Sequence, residues 1–308
     1  MEKSNGIALA YLTALVSGFS VFANSFGVVT MDSTAYTFLK NVLVAAILVA
    51  IGLSFGSWRE FLTLSRKQAL MLLFVGVIGG GVAFALFFAG LAGTSGAAGS
   101  FVYRLLFVFA TVIAIGWLKE KFEWKVAAGA LAIIAGNYLL LGAAALSLSD
   151  GLLLVLAATV LWAVEYAVSK KVLENVSATT VAAARMGIGA FVLLAILAWQ
   201  GKLGAVASVQ PASMMWIAIA TGLLTLFVTL WYSALKRTTL VSATAALTLG
   251  GPVSALLSLV FVGKALAPLQ AAGFLLLAVG AVAAVGAGET VAAINSAKEK
   301  MLLRIRKE

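Results

Sequence analysis

The sequence lacks the residues that most often carry enzyme or metal chemistry. Its 308 residues include no cysteine, no histidine and only three prolines. These absences exclude disulfides, thiolate or imidazole metal sites and histidine proton relays. Only 10% of the residues are charged and 63% are hydrophobic, a composition that excludes a soluble domain with a polar surface. We therefore predict a polytopic membrane protein.

The hydrophobic residues form continuous runs of about 20 residues, the length that an α-helix needs to cross a bilayer. A transmembrane β-barrel would instead show alternating segments of about 10 residues. We therefore predict an all-α protein. Its ten predicted spans are 5–26, 33–55, 67–90, 95–117, 123–142, 150–170, 178–200, 212–235, 240–262 and 269–288.

The second half of the sequence repeats the first. One constant offset places Leu91 on Leu235 and Leu105 on Leu249 without a gap. Five spans per unit turn the second copy upside down in the bilayer, and inverted repeats are typical of alternating-access transporters. We expect a first repeat at 1–142, a second at 150–288 and a basic cytoplasmic tail at 289–308.

The basic residues indicate the orientation. Sixteen of the 21 Lys and Arg fall on one side of the predicted spans, and only Lys202 and Lys264 fall on the other. The positive-inside rule places both termini in the cytoplasm. The net charge of +10 then reflects topology, and we expect no nucleic-acid partner.

The tail has its own pattern. Val291, Ile294, Leu302 and Ile305 can share one face of a helix, surrounded by lysines and arginines. This pattern favours an interfacial helix on the anionic cytoplasmic leaflet. A partly frayed basic tail fits the same residues.

Four charged residues lie well within the predicted spans, away from their ends: Lys40, Arg104, Glu165 and Arg185. Such residues usually face a bundle interior or a water-filled cavity. Glu165 and Arg185 lie at a similar depth and could pair, whereas Lys40 and Arg104 have no acid at their depth except Asp32 near the outer surface. These two cations could receive an anionic group of a substrate. Alternatively, they could bond backbone carbonyls or reach lipid headgroups.

Two matching stripes of small and polar residues occur on the fourth and ninth spans. The ninth span carries its stripe on one helical face, at Thr244, Thr248, Gly251, Ala255 and Ser258. The repeat mates of the first four are Ser100, Arg104, Phe107 and Thr111. Such stripes indicate either close helix packing or a wet lining. We favour a lining because both repeats keep the stripe and one copy contains Arg104.

Glycines and one proline interrupt two spans. Gly250-Gly251-Pro252 lies in the ninth span, and Gly79-Gly80-Gly81 lies in the third. Proline removes a backbone donor and frees a carbonyl. We therefore interpret Gly80, Gly251 and Pro252 as hinge candidates, with close backbone packing as the alternative.

Aromatic residues lie on the third, fourth and sixth spans, at Phe84, Phe88, Tyr103, Trp162 and Tyr166, and Phe84 and Trp162 are too central to belong to an interfacial aromatic belt. They could form a packed core or contact a ligand. An aromatic lining with a few fixed polar groups would suit a small amphipathic solute.

With these features the chain resembles the EamA-type branch of the drug/metabolite transporter superfamily over residues 5–288. The resemblance rests on the ten spans, the duplication and a residue pattern around the fourth and ninth spans. The chain keeps Pro252, Gly263 and Gly273 in the second half and Glu120 and Gly129 in the first. It departs from the pattern at Val108, Lys119 and Lys264. The basic residues that the family favours in helices 2 and 7 are matched by Lys40 and Arg185.

Within this branch the chain is similar to bacterial aromatic amino-acid exporters of the YddG type. The resemblance implies an exporter of the bacterial inner membrane, without cofactor, whose cavity lies among helices 1, 3, 4, 6, 8 and 9. One chain with two repeats can form a complete pathway as a monomer, and the sequence leaves the oligomeric state open. Lys40 and Arg104 would then attract a carboxylate, and Glu165 could carry a coupling proton. The amino group would bind Ser100, Thr244, Thr248 and carbonyls freed near Pro252. Phe84, Phe88, Trp162 and Tyr166 would hold the side chain of an amino acid.

Two other functions remain open at this point. An exporter of lipophilic drugs or quaternary cations would share the fold but would not need Arg104. A membrane enzyme is disfavoured, because the sequence has no plausible nucleophile–base pair or metal set. No GxxxxGK[ST] sequence occurs, so ATP is not expected to drive transport directly.

Overall fold

The computed structural model describes residues 2–54, 56–94, 96–141, 149–263 and 267–305. Every regular element in these ranges is helical, as the composition predicts. The elements are α1 (Glu2–Gly27), α2 (Ser33–Ser54), a 3₁₀ segment (Ser57–Leu62), α3 (Arg66–Phe74), a π-helical segment (Val75–Val82), α4 (Ala83–Ala92), α5 (Gly96–Arg104), α6 (Leu106–Gly116), α7 (Trp124–Leu141), α8 (Asp150–Val172), α9 (Ala178–Trp199), α10 (Gly204–Ala207), α11 (Pro211–Arg237), α12 (Leu240–Leu247), α13 (Gly250–Val262), α14 (Pro268–Val285) and α15 (Ala287–Ile305).

Eight helical stretches in the described ranges are long and apolar enough to cross a membrane. They are α1, α2, the continuous stretch through α3 and α4, α8, α9, α11, the stretch through α12 and α13, and α14. The predicted fourth and fifth spans coincide with two shorter apolar helices, Phe101–Gly116 and Trp124–Leu140. Length and composition thus support eight spans, and the ten-span topology with cytoplasmic termini stays a prediction.

The helix boundaries display the repeat. A single offset in residue number superimposes α2 on α9 at both their first and last residues, and we call it the long offset. The offset that matches α7 to α14 at both ends is one residue smaller, and we call it the short offset. The first residue of α5 also matches that of α12 under the short offset, so the first repeat holds one extra residue between α2 and α5. The π-helical segment Val75–Val82 lies in this interval, and its i→i+5 hydrogen bonds accommodate an extra residue inside a continuous helix.

The contacts between helices also come in pairs. The repeat mates α1 and α8 make equivalent contacts, because α1 packs on α11 and α13 whereas α8 packs on α4 and α6. Two helices pack on their own mates, α2 on α9 and α7 on α14.

The glycines of α7 and α14 show how the two repeats are related. A Cβ added to Gly129 would lie 2.6 Å from the carbonyl oxygen of Gly280, and one added to Gly136 would lie 2.6 Å from that of Gly273. The contacts run in opposite chain directions, so the two helices are antiparallel. The short offset exchanges one contact for the other, as expected for inverted repeats.

The predicted fourth and ninth spans are broken at equivalent positions. The first break falls at Leu105 and the second at Thr248 and Leu249, one repeat later. Pro252 is the third residue of α13, where its missing N–H leaves no helical hydrogen bond unmade. The break therefore comes before the predicted hinge residues Gly251 and Pro252.

The tail forms a helix, α15, which packs on the first half of α1. Lys3 pairs with Glu289 at 2.6 Å, and the hydroxyls of Tyr11 and Thr290 lie 2.8 Å apart. Two of the four predicted apolar residues, Val291 and Ile294, are exposed on this helix. Their exposure is compatible with an interfacial helix, and the membrane contact itself stays a prediction.

Candidate functional site

A cavity of about 760 Å³ lies between the two halves, among α1, α4, α5, α8 and α13. Its volume falls within the range of small-molecule sites. The lining extends to Val28 beyond the end of α1, Leu91 near the end of α4 and Gln270 at the start of α14. The positive-inside rule predicts these helix ends on the outer side, so the cavity extends toward the predicted exterior.

Three basic side chains line the cavity: Lys40, Arg104 and Arg185. Lys40 projects from α2 and is 3% exposed. Its Nζ donates to Asn24 Oδ1 at 3.3 Å and lies 5.1 Å from the centre of the Phe88 ring. The ring face provides a weak electrostatic partner, and the amide provides a neutral one.

Arg104 lies at the end of α5, directly before the helix break. Its Nη1 donates to Asn137 Oδ1 at 2.9 Å, and Asn137 Nδ2 in turn donates to the carbonyl of Phe101 at 2.8 Å. The guanidinium lies against Gly251, where an added Cβ would come within 2.5 Å of the guanidinium carbon. Gly251 therefore makes room for Arg104.

Arg185 already has a carboxylate partner. Its Nε lies 3.4 Å from Glu165 Oε2, an ion pair without an aligned hydrogen bond, and both side chains are almost completely buried. Glu165 Oε1 accepts hydrogen bonds from Ser169 at 2.6 Å and Tyr232 at 2.9 Å. Glu165, predicted to contact substrate, is absent from the cavity lining because these partners hold it in the packed interior.

The predicted aromatic residues form most of one wall of the cavity. Trp162 lies 5.3 Å from Phe84 and 5.6 Å from Tyr103, measured between ring centres. Phe88 stacks on Phe84 at 6.3 Å, and Tyr166 also lines the cavity. The indole N–H of Trp162 donates to the carbonyl of Gly79 at 3.0 Å, inside the π-helical segment.

Several other predicted site residues lie away from the cavity. The hydroxyl of Thr244 donates to the carbonyl of Leu240 at 2.8 Å, and that of Thr248 to Ala245 at 2.7 Å. Threonines that bond their own helix need no substrate or solvent partner, so this part of the predicted stripe packs in the core. The N-terminal part of the stripe, Thr244 and Thr248, therefore does not line the cavity as predicted, whereas Gly251, Ala255 and Ser258 do.

The remaining predicted positions are Ser100, Gly80 and Pro252. The backbone of Ser100 belongs to α5, and its side chain lies outside the described part of the structure. A Cβ added to Gly80 would overlap the carbonyl oxygen of Arg185, so this glycine serves close packing of the π-helical segment on α9. Pro252 lies in the first turn of α13 and is not among the lining residues.

Some lining residues were not predicted from the sequence: Ser20 and Asn24 on α1, Phe87 on α4 and Asn137 on α7. The two amides gave a usable signal, because a polar side chain within an apolar span needs a partner or a wet surface. Phe87 follows Phe84 by three residues and therefore shares its helical face.

The opposite, predicted cytoplasmic side is held by acids that contact helix N-termini across the two halves. Glu60 accepts from the backbone N–H of Ser177 at 2.9 Å and from the hydroxyls of Ser177 and Thr180. Burial raises the pKa of Glu60, but these hydrogen bonds and the charge of Lys236 outweigh it, so the pKa lies below its usual range. Glu120 similarly accepts from the N–H of Leu240 at 2.7 Å.

On the outer side a different contact joins α2 to the second half. Asp32 caps α2 by accepting from the N–H of Thr34 at 2.9 Å, and it pairs with Lys202 at 2.8 Å. Asp32 and Ser177 are repeat mates under the long offset. In each half, the residue that caps a helix N-terminus, Asp32 for α2 and Ser177 for α9, therefore contacts a charged side chain of the other half.

A comparison with solved structures finds a protein of similar fold. A crystal structure described only as "Crystal structure of protein" is similar with a TM-score of 0.74 and 21% sequence identity, over 91% of this chain and 97% of the other. This likeness concerns the fold alone. No curated protein matches the chain.

The family comparison addresses the two repeats separately. The sequence pattern of the EamA-like transporter family matches residues 4–142 and, a second time, residues 149–286. These ranges coincide with the two inverted repeats, and together they cover almost the whole chain. The chain therefore belongs to the EamA-like transporter family.

Proposed function

We propose that this chain is a secondary transporter that exports small metabolites, in particular neutral amino acids including aromatic ones. The observation that carries this proposal is the composition of the cavity lining. Three cations and an aromatic wall face the same space, and no Asp or Glu is among the described lining residues. A solute with a carboxylate and an apolar body complements such a lining.

Each part of an amino acid has a plausible partner. Lys40 and Arg104 supply positive charge for the carboxylate in a space where low dielectric strengthens ionic attraction. The hydroxyls of Ser254 and Ser258 on α13 supply acceptors for the ammonium group. Phe84, Phe88, Trp162 and Tyr166 supply a surface for the side chain of the substrate.

Alternating access fits the arrangement of the two halves. The cavity extends to the predicted outer ends of the helices, whereas Glu60 and Glu120 join the halves at the predicted cytoplasmic side. Inverted repeats can exchange these two states by rocking about a fixed site. One chain contains both repeats and the whole cavity, so we propose a monomer in the bacterial inner membrane that works without a cofactor.

A transporter of lipophilic or quaternary cations is the alternative in the same fold. The aromatic wall favours it, because ring faces attract such cations. The two lining cations without a carboxylate partner, Lys40 and Arg104, oppose it, because like charges repel in a desolvated cavity. Efflux of lipophilic cations that persists in Arg104→Ala would support this alternative.

The test is uptake of labelled phenylalanine, tryptophan, threonine and methionine by proteoliposomes, with and without a pH gradient. We expect uptake that these solutes inhibit mutually and that Arg104→Ala reduces. Arg59→Ala, which removes an exposed cation outside the cavity, serves as the control. Absence of uptake for all four amino acids, together with transport of lipophilic cations, would overturn the proposal.

The same assay examines energy coupling. If Glu165 carries a coupled proton, Glu165→Gln should abolish the stimulation of uptake by a pH gradient. Uptake with unchanged pH dependence in this variant would exclude that role.

A further inference from the structure

We infer that the substrate carboxylate binds at the corner of α1 and α2 formed by Ser20, Asn24 and Lys40. There it forms with Lys40 the counterpart of the Glu165–Arg185 ion pair of the second half. This inference rests on the proposed function and assigns its central contact to one of the two unpaired cations of the cavity. It also makes a free carboxylate a requirement for the substrate.

The repeat relates the two corners residue by residue. The long offset, which carries α2 onto α9, also carries Lys40 onto Arg185. The same offset carries Ser20 onto Glu165 and Asn24 onto Ser169. Both corners thus consist of a cation on one helix and two polar residues, four positions apart, on the preceding helix.

The hydrogen bonds within the two corners correspond. In the second half Ser169 donates to Glu165 at 2.6 Å, four residues back along α8. In the first half Asn24 Nδ2 donates to Ser20 Oγ at 3.1 Å, four residues back along α1. In each half the cation then lies beside this pair: Arg185 at 3.4 Å from Glu165 and Lys40 at 3.3 Å from Asn24.

The corners differ in one component, the carboxylate. Ser20 stands where the second half has Glu165. The short offset already applies next to the end of α4, because Gly93 packs on Gly151 as Arg237 packs on Gly6. Phe88 therefore stands where the second half has Tyr232, whose hydroxyl donates to Glu165. The first corner therefore lacks both the acid and one of its donors, and it has kept the cation.

Lys40 consequently has unused bonding capacity that faces the cavity. An ammonium group has three donors, and the hydrogen bonds of the described residues engage one of them, with Asn24. None of the ion pairs in the described part of the chain includes Lys40. Arg104 differs, because Asn137 and the packing against Gly251 fix its guanidinium in place.

A matched pair of isosteric substitutions tests this assignment. Asn24→Asp places a protein carboxylate on Lys40, and Asn137→Asp makes the same change on the partner of Arg104. The readout is discrimination, defined as the phenylalaninamide concentration that halves uptake of labelled tryptophan divided by the phenylalanine concentration that does so. Phenylalaninamide lacks the carboxylate and is otherwise nearly the same shape.

We expect the wild type to favour phenylalanine over the amide by at least about tenfold, the ratio that an ionic contact of about 1.4 kcal/mol supports. Asn24→Asp should abolish or reverse this preference, because its own carboxylate occupies Lys40. Lys40→Gln should bring the ratio close to one. Asn137→Asp should keep the preference for phenylalanine, whatever its total rate.

The outcomes separate this inference from the proposed function. Discrimination that survives in Asn24→Asp and Lys40→Gln but disappears in Asn137→Asp would move the carboxylate to Arg104 and overturn the inference, while amino-acid transport would stand. A wild type that takes up no amino acid would overturn both. Elution of each variant as a single monodisperse species in detergent confirms that the comparison concerns folded protein.

Discussion

The two halves of this transporter place a cation at equivalent positions, but they use it differently. In the second half Arg185 is paired with Glu165 in the packed interior, where Ser169 and Tyr232 hold the acid. In the first half Lys40 faces the cavity beside the Asn24 amide and the Phe88 ring, with no carboxylate partner among the described residues. A duplicated fold can thus keep a polar cluster with its carboxylate in one copy and without it in the other.

The halves differ in the same way in how they hold their helices. The π-helical segment of the first half packs on α9 through glycines, whereas the equivalent α11 of the second half is a regular α-helix. Four predictions test these differences, from the largest expected effect to the smallest.

The largest effect is expected for Gly80→Val. A side chain here would overlap the backbone carbonyl of Arg185, so the two helices would have to separate, which costs more than the ~1–3 kcal/mol typical of overpacking and removes the folded state itself. We expect loss of monodisperse protein in size-exclusion chromatography. Gly222→Val on α11 is the control, because an added Cβ there meets no atom within 4 Å. Equal behaviour of the two variants would mean that the close approach of the helices is not required for folding.

The second prediction contrasts the two cations. Glu165→Gln leaves Arg185 buried without a counter-charge, which costs about 3–5 kcal/mol. Lys40→Gln removes a cation that has no acidic partner among the described residues, so we expect a change within about 1 kcal/mol. Thermal unfolding in detergent measures both. A Lys40→Gln variant that is destabilised as much as Glu165→Gln would show that the first-half cation is structural as well.

The third prediction concerns the opposite wall of the cavity. Gly251→Ala places a methyl group where the guanidinium of Arg104 lies and should break its hydrogen bond to Asn137. A hydrogen bond to a charged group contributes about 1.5–3 kcal/mol, so we expect uptake to fall by about tenfold or more. Gly116→Ala, where an added Cβ meets no atom within 4 Å, should leave uptake unchanged. Unchanged uptake in Gly251→Ala would show that the position of Arg104 does not limit transport.

The smallest effect is expected for Glu60→Gln at the predicted cytoplasmic side. Because the pKa of Glu60 is lowered in the folded state, its stabilising effect is present above the ordinary glutamate pKa of about 4.3. It is lost as the pH falls through the lowered value. The carboxyl is largely solvated, so we expect at most about 1 kcal/mol at pH 7 and a smaller difference below pH ~4. Unfolding temperatures between pH 3.5 and 7 measure this, with Glu174→Gln as the exposed control. A difference that grows on acidification would contradict the assignment.

Much of the architecture could be predicted from the sequence because it depends on local composition. Apolar length marks the helices, and a constant offset between matching residues identifies the repeat. Charged residues in apolar spans identify the cavity, because Lys40, Arg104 and Arg185 have few other places to lie. The aromatic positions Phe84 and Trp162 follow from the same reasoning.

Other features depend on three-dimensional detail that a linear pattern does not contain. Thr244 and Thr248 lie on the predicted stripe, but a helix break separates them from Gly251, and each hydroxyl bonds its own helix. Glu165 lies at the predicted depth, yet its neighbours turn it away from the cavity. The change from the long to the short offset becomes visible only when helix boundaries are compared.

The π-helical segment has a consequence for how the two halves diverged. Inserting one codon into a gene for an α-helix turns every later side chain by about 100° around the helix axis. Had the extra residue been absorbed as ordinary α-helix, Phe84, Phe87 and Phe88 would point away from the cavity that they now line. The wide turn confines the one-residue difference to residues 75–82, so the two copies of the unit can differ in length inside a membrane helix while the first keeps its aromatic wall in place.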